Sequence, residues 1–277
     1  MVQVMDVLVD IDATLVYPAG GGPPVDDSVQ APLLNRYSLA HGALEFLAAL
    51  DCYTHDQESA EKSPIRMRGG LYSCGRHARN CSLAKALVEA IHKRLGYHFT
   101  QKLEAFSVPN GNCGKKILRG LRRGLDLHRT ILVDDGGRNV HPGEESNLLK
   151  IYDFASHSHD LTYAHKLYRA RLSNNLVRAL GMIIMSVTAS NASDGTATVV
   201  EALHNLQWDS DNMYHHGSSN AKAIYDQGLK AMQALNPGLC LAYPTTSPWS
   251  LICSEAEEAA VFPRCQDLII QDCSDVL

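Results

Sequence analysis

Two acids stand two residues apart in Asp10-Ile11-Asp12, directly after the apolar run Val7-Leu8-Val9. A short apolar run of this kind makes a buried strand, so the acids fall at a strand's exit. In extended chain every second side chain points the same way, which predicts that Asp10 and Asp12 share a direction. Paired carboxylates bind a divalent cation, attack an electrophile or move protons. A second acidic pair, Asp134-Asp135, ends the apolar run Thr130-Ile131-Leu132-Val133. Between the two pairs lie a short apolar run ending in a hydroxyl, Gly70-Leu71-Tyr72-Ser73, and the lysines Lys115 and Lys116.

The elements that must position them follow from the hydrophobic pattern. Ala43 to Leu50 reads as a short amphipathic helix after His41-Gly42, and Asp51 to Arg68 as a polar insertion. Ser82 to Leu95 reads as a helix with Ser82 as its N-cap and Gly96 as its stop. Lys115 to Leu125 has Leu118, Leu121 and Leu125 at helical spacing and is predicted to be a third helix. Strands alternating with helices specify an α/β fold with a Rossmann-like parallel sheet. In such sheets the site lies at the carboxyl ends of the strands, which brings Asp10, Asp12, Ser73, Asp134 and Asp135 to one crevice. The Gly- and Pro-rich stretch from Tyr17 to Pro32 has no phosphate-loop spacing and reads as a flap beside the strand exit.

Two units are expected: residues 1–155 as the α/β core and 156–277 as a mainly helical extension, packed on the core or binding a partner. Within the extension, 161–185, 197–206 and 221–235 have helical patterns, and His157, His159, His204, His215 and His216 read as surface or capping residues. A net charge of -5 without a long basic run does not point to nucleic acid. The longest apolar stretch is too short to span a bilayer, and the N-terminus has no basic region of a secretory signal. Eight scattered cysteines without a CxxC pair fit reduced thiols in the cytoplasm, with a bacterial protein exported into a host cell as the alternative. Cys74, His77 and Cys81 lack a fourth ligand at metal-binding spacing, and the sixth residue after Cys74 is Asn80 rather than the Arg of a cysteine-phosphatase loop.

Asp10-Ile11-Asp12-Ala13-Thr14-Leu15-Val16 resembles the first signature, DxDx[TV]L[VT], of the haloacid-dehalogenase-like (HAD) phosphatases. Leu71 to Gly75 resembles their second, Lys116 with Ile117-Leu118 their third, and Ile131 to Asp135 their fourth. Lys115 is the alternative for the third; Lys116 is preferred because it precedes Ile-Leu. The resemblance covers about residues 4–152 and is greatest to the capless branch that acts on the C-terminal domain of RNA polymerase. That branch's Arg-Pro-Gly turn is here Ala40-His41-Gly42.

The resemblance implies a Mg²⁺-dependent phosphomonoester hydrolase. Asp10 is then the nucleophile that becomes an aspartyl-phosphate. Asp12 is the general acid and base, with a raised pKa from burial and acidic neighbours. Ser73 and Lys116 bind the phosphoryl group, and Asp10, the Asp12 carbonyl and Asp134 hold the metal. Thr14 is expected to hold the loop and Asp135 to support the metal or orient Lys116. Arg76, Arg138 and Asn139 are near enough in sequence to touch substrate. Neither gap between signatures holds a complete cap domain, so a phosphorylated protein or peptide is the expected partner. The alternatives are a small-molecule phosphatase covered by the C-terminal helices, and a non-catalytic binding module on the same scaffold.

Overall fold

The computed structural model describes residues 3–18, 37–55, 65–109, 115–136, 139–151, 174–193, 197–210 and 219–243. The expected flap over most of its length, the 155/156 boundary, Arg138 and the histidines at 157, 159, 215 and 216 lie outside them.

The chain forms an α/β sheet. Its strands are β1 (Gln3–Val9), β2 (Val16–Pro18), β3 (Tyr37–Leu39), β4 (Thr54–His55), β5 (Ile65–Ser73), β6 (Glu104–Ser107), β7 (Thr130–Asp134) and β8 (Leu148–Lys150). The helices are α1 (Ala43–Cys52), α2 (His77–Leu95), α3 (Asn175–Ala192), α4 (Val199–Ser210) and α5 (Ser219–Gln233). β6, β5, β1, β7 and β8 lie side by side and parallel, with β4 antiparallel on the start of β5 and β2–β3 a separate ribbon. The chain steps outward from β1 to β5 and β6, then returns to its other side for β7 and β8. The direction of winding therefore reverses between β1 and β7, and a crevice opens at their carboxyl ends.

Alternation along the strands divides the core in two. Met5, Val7, Val9, Met67, Leu71, Ile131 and Val133 face the main core with α1 and α2. Leu8, Tyr72 and Leu132 face the other way, against Leu118 and Val140. Strands buried on both faces read as continuous apolar runs, which is why β1 and β7 were legible.

That second face is covered without the predicted helix. Residues 115–125 are irregular, with Lys116 bridged to Val140 and turns beyond it. Gly120 and Gly124 sit at φ 76° and 78°, in the left-handed region that ends a helix rather than continuing one. Leucine spacing was satisfied instead by a winding segment that presses Leu118 on the sheet. Two other boundaries moved. β5 begins at Ile65, inside the expected insertion, because Ile65 and Met67 alternate into the core. α2 begins at His77, so Ser82 is inside the helix and donates to the Ala78 carbonyl at 2.9 Å rather than capping. Gly96 ends α2 at φ 63° as expected.

The extension packs on the core. Leu176, Leu180, Ile183, Ile184 and Val187 of α3, with Ile224 and Met232 of α5, join the same apolar cluster as α1. α3 and α5 cross at Gly181 and Gly228, where a Cβ on either would overlap a carbonyl oxygen of the facing helix, that of Ile224 or of Val177. α4 packs on the segments that lead into β7 and β8, at their amino ends. No helix among the described residues is long and apolar enough to cross a membrane.

Candidate active site

Asp10 leaves β1 with its N–H bonded to the Val133 carbonyl at 2.8 Å, so it stands beside Asp134 at the end of β7. Lys116 lies between them, with Nζ 2.6 Å from an Asp10 oxygen and in contact with Asp134. All three residues are buried, Lys116 and Asp134 completely. Two carboxylates around one ammonium leave net negative charge in a poorly solvated place, a setting that favours a cation. The protonation directions agree. Burial, opposed by Lys116 and assisted by Asp134, pushes the Asp10 carboxyl from 3.8 up to about 6. For Lys116 burial works against the charge, but Asp10 and Asp134 outweigh it and hold the ammonium above its ordinary value.

The irregular segment that replaced the predicted helix fixes this lysine. The Lys116 N–H donates to the Asn139 carbonyl, and its carbonyl accepts from His141 at 3.0 Å. The Tyr72 hydroxyl, buried on the second face, donates to the Ile117 carbonyl at 3.2 Å and accepts from the Ile117 N–H at 3.0 Å. Buried Glu144 accepts from the N–H groups of Leu118 and Arg119 at 2.7 and 3.0 Å. A helix would bond these groups internally. Here distant side chains do so, and the preferred lysine is the one turned inward. Asn139 does not reach outward for substrate: its Nδ2 donates to Asp134 Oδ1 at 3.0 Å, as does the Gly136 N–H at 2.7 Å.

Asp12 stands apart. Extended chain stops at Val9, and a tight turn follows with Ala13 at φ 60°. Asp12 therefore does not share Asp10's partners. Its carboxylate accepts from Ser73 Oγ at 3.0 Å and from Arg79 Nη1 at 2.8 Å on one oxygen, and from Arg79 Nη2 on the other. Its side chain is 48% exposed, so the expected burial among acids is not found. The hydroxyl of Thr14 is buried without a hydrogen-bond partner among the described residues, so it does not hold the loop as expected. The turn is held instead by backbone bonds from Leu15 and Val16 to Ile11 and by Tyr17, whose hydroxyl donates to the Ala13 carbonyl at 2.8 Å.

Ser73 ends β5 beside this pair. Asn80, completely buried in α2, ties the strand ends together by donating to the carbonyls of Gly75 and Phe106 at 3.1 Å and to Ser107 Oγ at 2.8 Å. Arg76 precedes α2 as its N-cap and is exposed. Cys74 is exposed and takes part in no disulfide among the described residues. Desolvation and the nearby carboxylates, over the opposing pull of Lys116, push it above its ordinary value, which argues against a thiolate nucleophile.

Among the described residues, the carboxylates of Asp10, Asp134 and Asp135 gather within 4.8 Å of one another and could hold a metal ion. Hard oxygen donors of this kind suit Mg²⁺. Asp135, expected only in support, belongs to the group by geometry. Two residues of the site have no role in the sequence pattern: Arg79, which pairs with Asp12, and Tyr72, which reads there only as part of a strand. Arg79 lies in the first turn of α2, ahead of the expected start at Ser82, so the helical pattern did not single it out. The chain matches no protein-family model and no curated protein sequence.

Proposed function

We propose that the chain is a Mg²⁺-dependent phosphomonoester hydrolase that works through an aspartyl-phosphate on Asp10, as its resemblance to the HAD phosphatases implies. The observation that carries this reading is the buried Asp10–Lys116–Asp134 cluster at the switch of strand order, with Ser73 and Asp12 beside it. A structural ion pair needs one acid for one base. The added carboxylates of Asp134 and Asp135 have a purpose if a cation joins them.

On this reading Asp10, Asp134 and Asp135 hold Mg²⁺ together with the Asp12 carbonyl. The ion supplies neutralising charge that lets a carboxylate approach a phosphate dianion. An Asp10 oxygen forms a bond to phosphorus as the ester P–O bond breaks, and Asp12 gives the leaving oxygen its proton. Asp12 then takes a proton from the water that attacks phosphorus, which frees phosphate and restores Asp10. Lys116 holds Asp10 in line and offsets its charge, and Ser73 binds a phosphoryl oxygen.

The substrate we assign is a phosphorylated protein or peptide. In support, α4 of the extension packs at the amino ends of β7 and β8, opposite the site, and the Asp12 side of the site reaches solvent. Cys52, Cys74, Cys81 and Cys240 stand outside disulfides, which fits a reducing compartment, and we place the protein in cytoplasm, its own or a host's.

The test is hydrolysis of para-nitrophenyl phosphate and of a phosphopeptide panel, with Mg²⁺ and with EDTA. Turnover that needs the metal and disappears in Asp10→Ala is expected. Turnover that survives in Asp10→Ala overturns the assigned nucleophile. No turnover on any phosphoester favours a binding module on the same scaffold.

A further inference from the structure

Asp12 poses a conflict for the hydrolase. A general acid must carry a proton to the leaving oxygen, yet both Asp12 oxygens accept hydrogen bonds from Arg79, one of them also from Ser73. Ser73 is the hydroxyl that should meet the phosphoryl group. Both donors that an incoming phosphate would want are thus spent on Asp12. Among the described residues, Lys116 and Arg79 are the cations bonded to Asp10, Asp12 and Asp134. Lys116 has no exposed surface and already serves two carboxylates. Arg79 is bonded to Asp12, whose side chain is half-exposed.

Arg79 is also built in place. Its side chain is only 9% exposed, and its Nε and Nη2 donate to the Tyr37 hydroxyl at 3.3 and 3.2 Å. The guanidinium carbon lies 5.4 Å from the centre of the Tyr37 ring. The anchor comes from β3 and the arginine from the first turns of α2, so two elements aim one planar cation at Asp12. A guanidinium suits this use, since its fork fits carboxylate and phosphate alike.

We infer that Arg79 is the phosphate-binding cation on the open side of the site, held by Asp12 until a substrate phosphoryl group takes its place. This rests on the hydrolase reading and adds a residue to it. The exchange replaces one oxyanion by another at the same N–H groups, so little charge is left unpaired. It also frees Asp12 from its cation when a leaving oxygen arrives, and frees Ser73 to donate to the phosphoryl group. Before substrate enters, the acid is kept out of use.

The experiment compares wild type, Arg79→Ala, Arg79→Lys and Tyr37→Phe in Mg²⁺. It measures KM and kcat for para-nitrophenyl phosphate, the inhibition constant of inorganic phosphate, and phosphate binding by calorimetry. Losing charge-assisted hydrogen bonds to phosphate should raise KM and the inhibition constant together by about tenfold or more in Arg79→Ala, with a smaller change in kcat. Added guanidinium should recover part of the loss, and Arg79→Lys should lie between the two. A folded Arg79→Ala with wild-type KM and phosphate affinity overturns the inference and leaves the hydrolase standing. Wild type that neither turns over the ester nor binds phosphate removes the hydrolase, and this inference with it. Should Arg79→Ala not fold, Tyr37→Phe decides: it keeps the arginine but loosens its anchor. A rise of a few-fold in both constants then supports the role, and unchanged constants refute it.

Discussion

Lys116 is where a single side chain has most effect. It is completely buried between two carboxylates, and removing it leaves both without their cation. Breaking a buried pair in this way costs about 3–5 kcal/mol, so Lys116→Met is expected to lose that much unfolding free energy in urea titration as well as its turnover. Restored stability on adding Mg²⁺ to this variant would show the ion taking up the unpaired charge. Asp10 gives a pH dependence. Its carboxyl is raised by burial from 3.8 to about 6 in the metal-free protein, so the folded state binds this proton more tightly than the unfolded chain does. Its contribution therefore favours folding at low pH and is lost as pH rises through that window. Mg²⁺ needs the ionised form and competes with the proton. The rise in Tm on adding Mg²⁺ should be small near pH 5 and full by about pH 7.5. A Mg²⁺ effect that does not vary over this range would exclude Asp10 as a ligand.

At the scale of elements, the segment 115–125 teaches most. Its leucines are spaced for a helix, yet Gly120 and Gly124 turn the chain, and Tyr72, Asn139, His141 and Glu144 hold its backbone. Local pattern could not reveal those partners, because they lie more than twenty residues away in sequence or on another strand. Tyr72→Phe removes the hydroxyl that bridges Ile117. It is expected to cost about 1–3 kcal/mol by leaving the half-buried Ile117 N–H and carbonyl without their partner, and to lower kcat because Lys116 loses its seat. A variant as active and stable as wild type would deny the segment this positioning role. The α3–α5 crossing makes a separate prediction. Gly181→Ala puts a methyl group into the facing backbone, so the helices must separate and α1 loses packing. A stability loss of about 1–3 kcal/mol, read as a lower Tm, is expected with the active-site hydrogen bonds untouched.

The whole molecule behaves as one packed unit over its described residues. One apolar cluster runs from β1 through α1 into α3 and α5. Asn174, itself buried, joins the extension to the core: its Nδ2 donates to the Ala242 carbonyl at 3.0 Å and to the Tyr225 hydroxyl at 3.1 Å, and its Oδ1 meets His41 Nδ1 at 3.3 Å. His41 belongs to the Ala40-His41-Gly42 turn that leads into α1, so this turn of the core meets the extension. A single calorimetric transition is expected, and Asn174→Ala should lower it as one transition, by about 1–3 kcal/mol. Two separate transitions would mean that the extension folds on its own.

The sequence alone located β1, the end of β5 and β7, and the order of the candidate site residues along the chain. Apolar runs buried on both faces and acids at their exits are local signals, and they placed Asp10, Ser73 and Asp134 at the carboxyl edge of an α/β sheet. Which of these groups touch was decided by the tertiary structure. Periodicity describes one element at a time, whereas the pairing of Arg79 with Asp12, the enclosure of Lys116 and the seating of α3 on α1 are contacts between elements far apart in the chain. Attraction at close range then chose the partners: Asp12, read as buried, is half-exposed and held by a guanidinium that no local pattern ties to it.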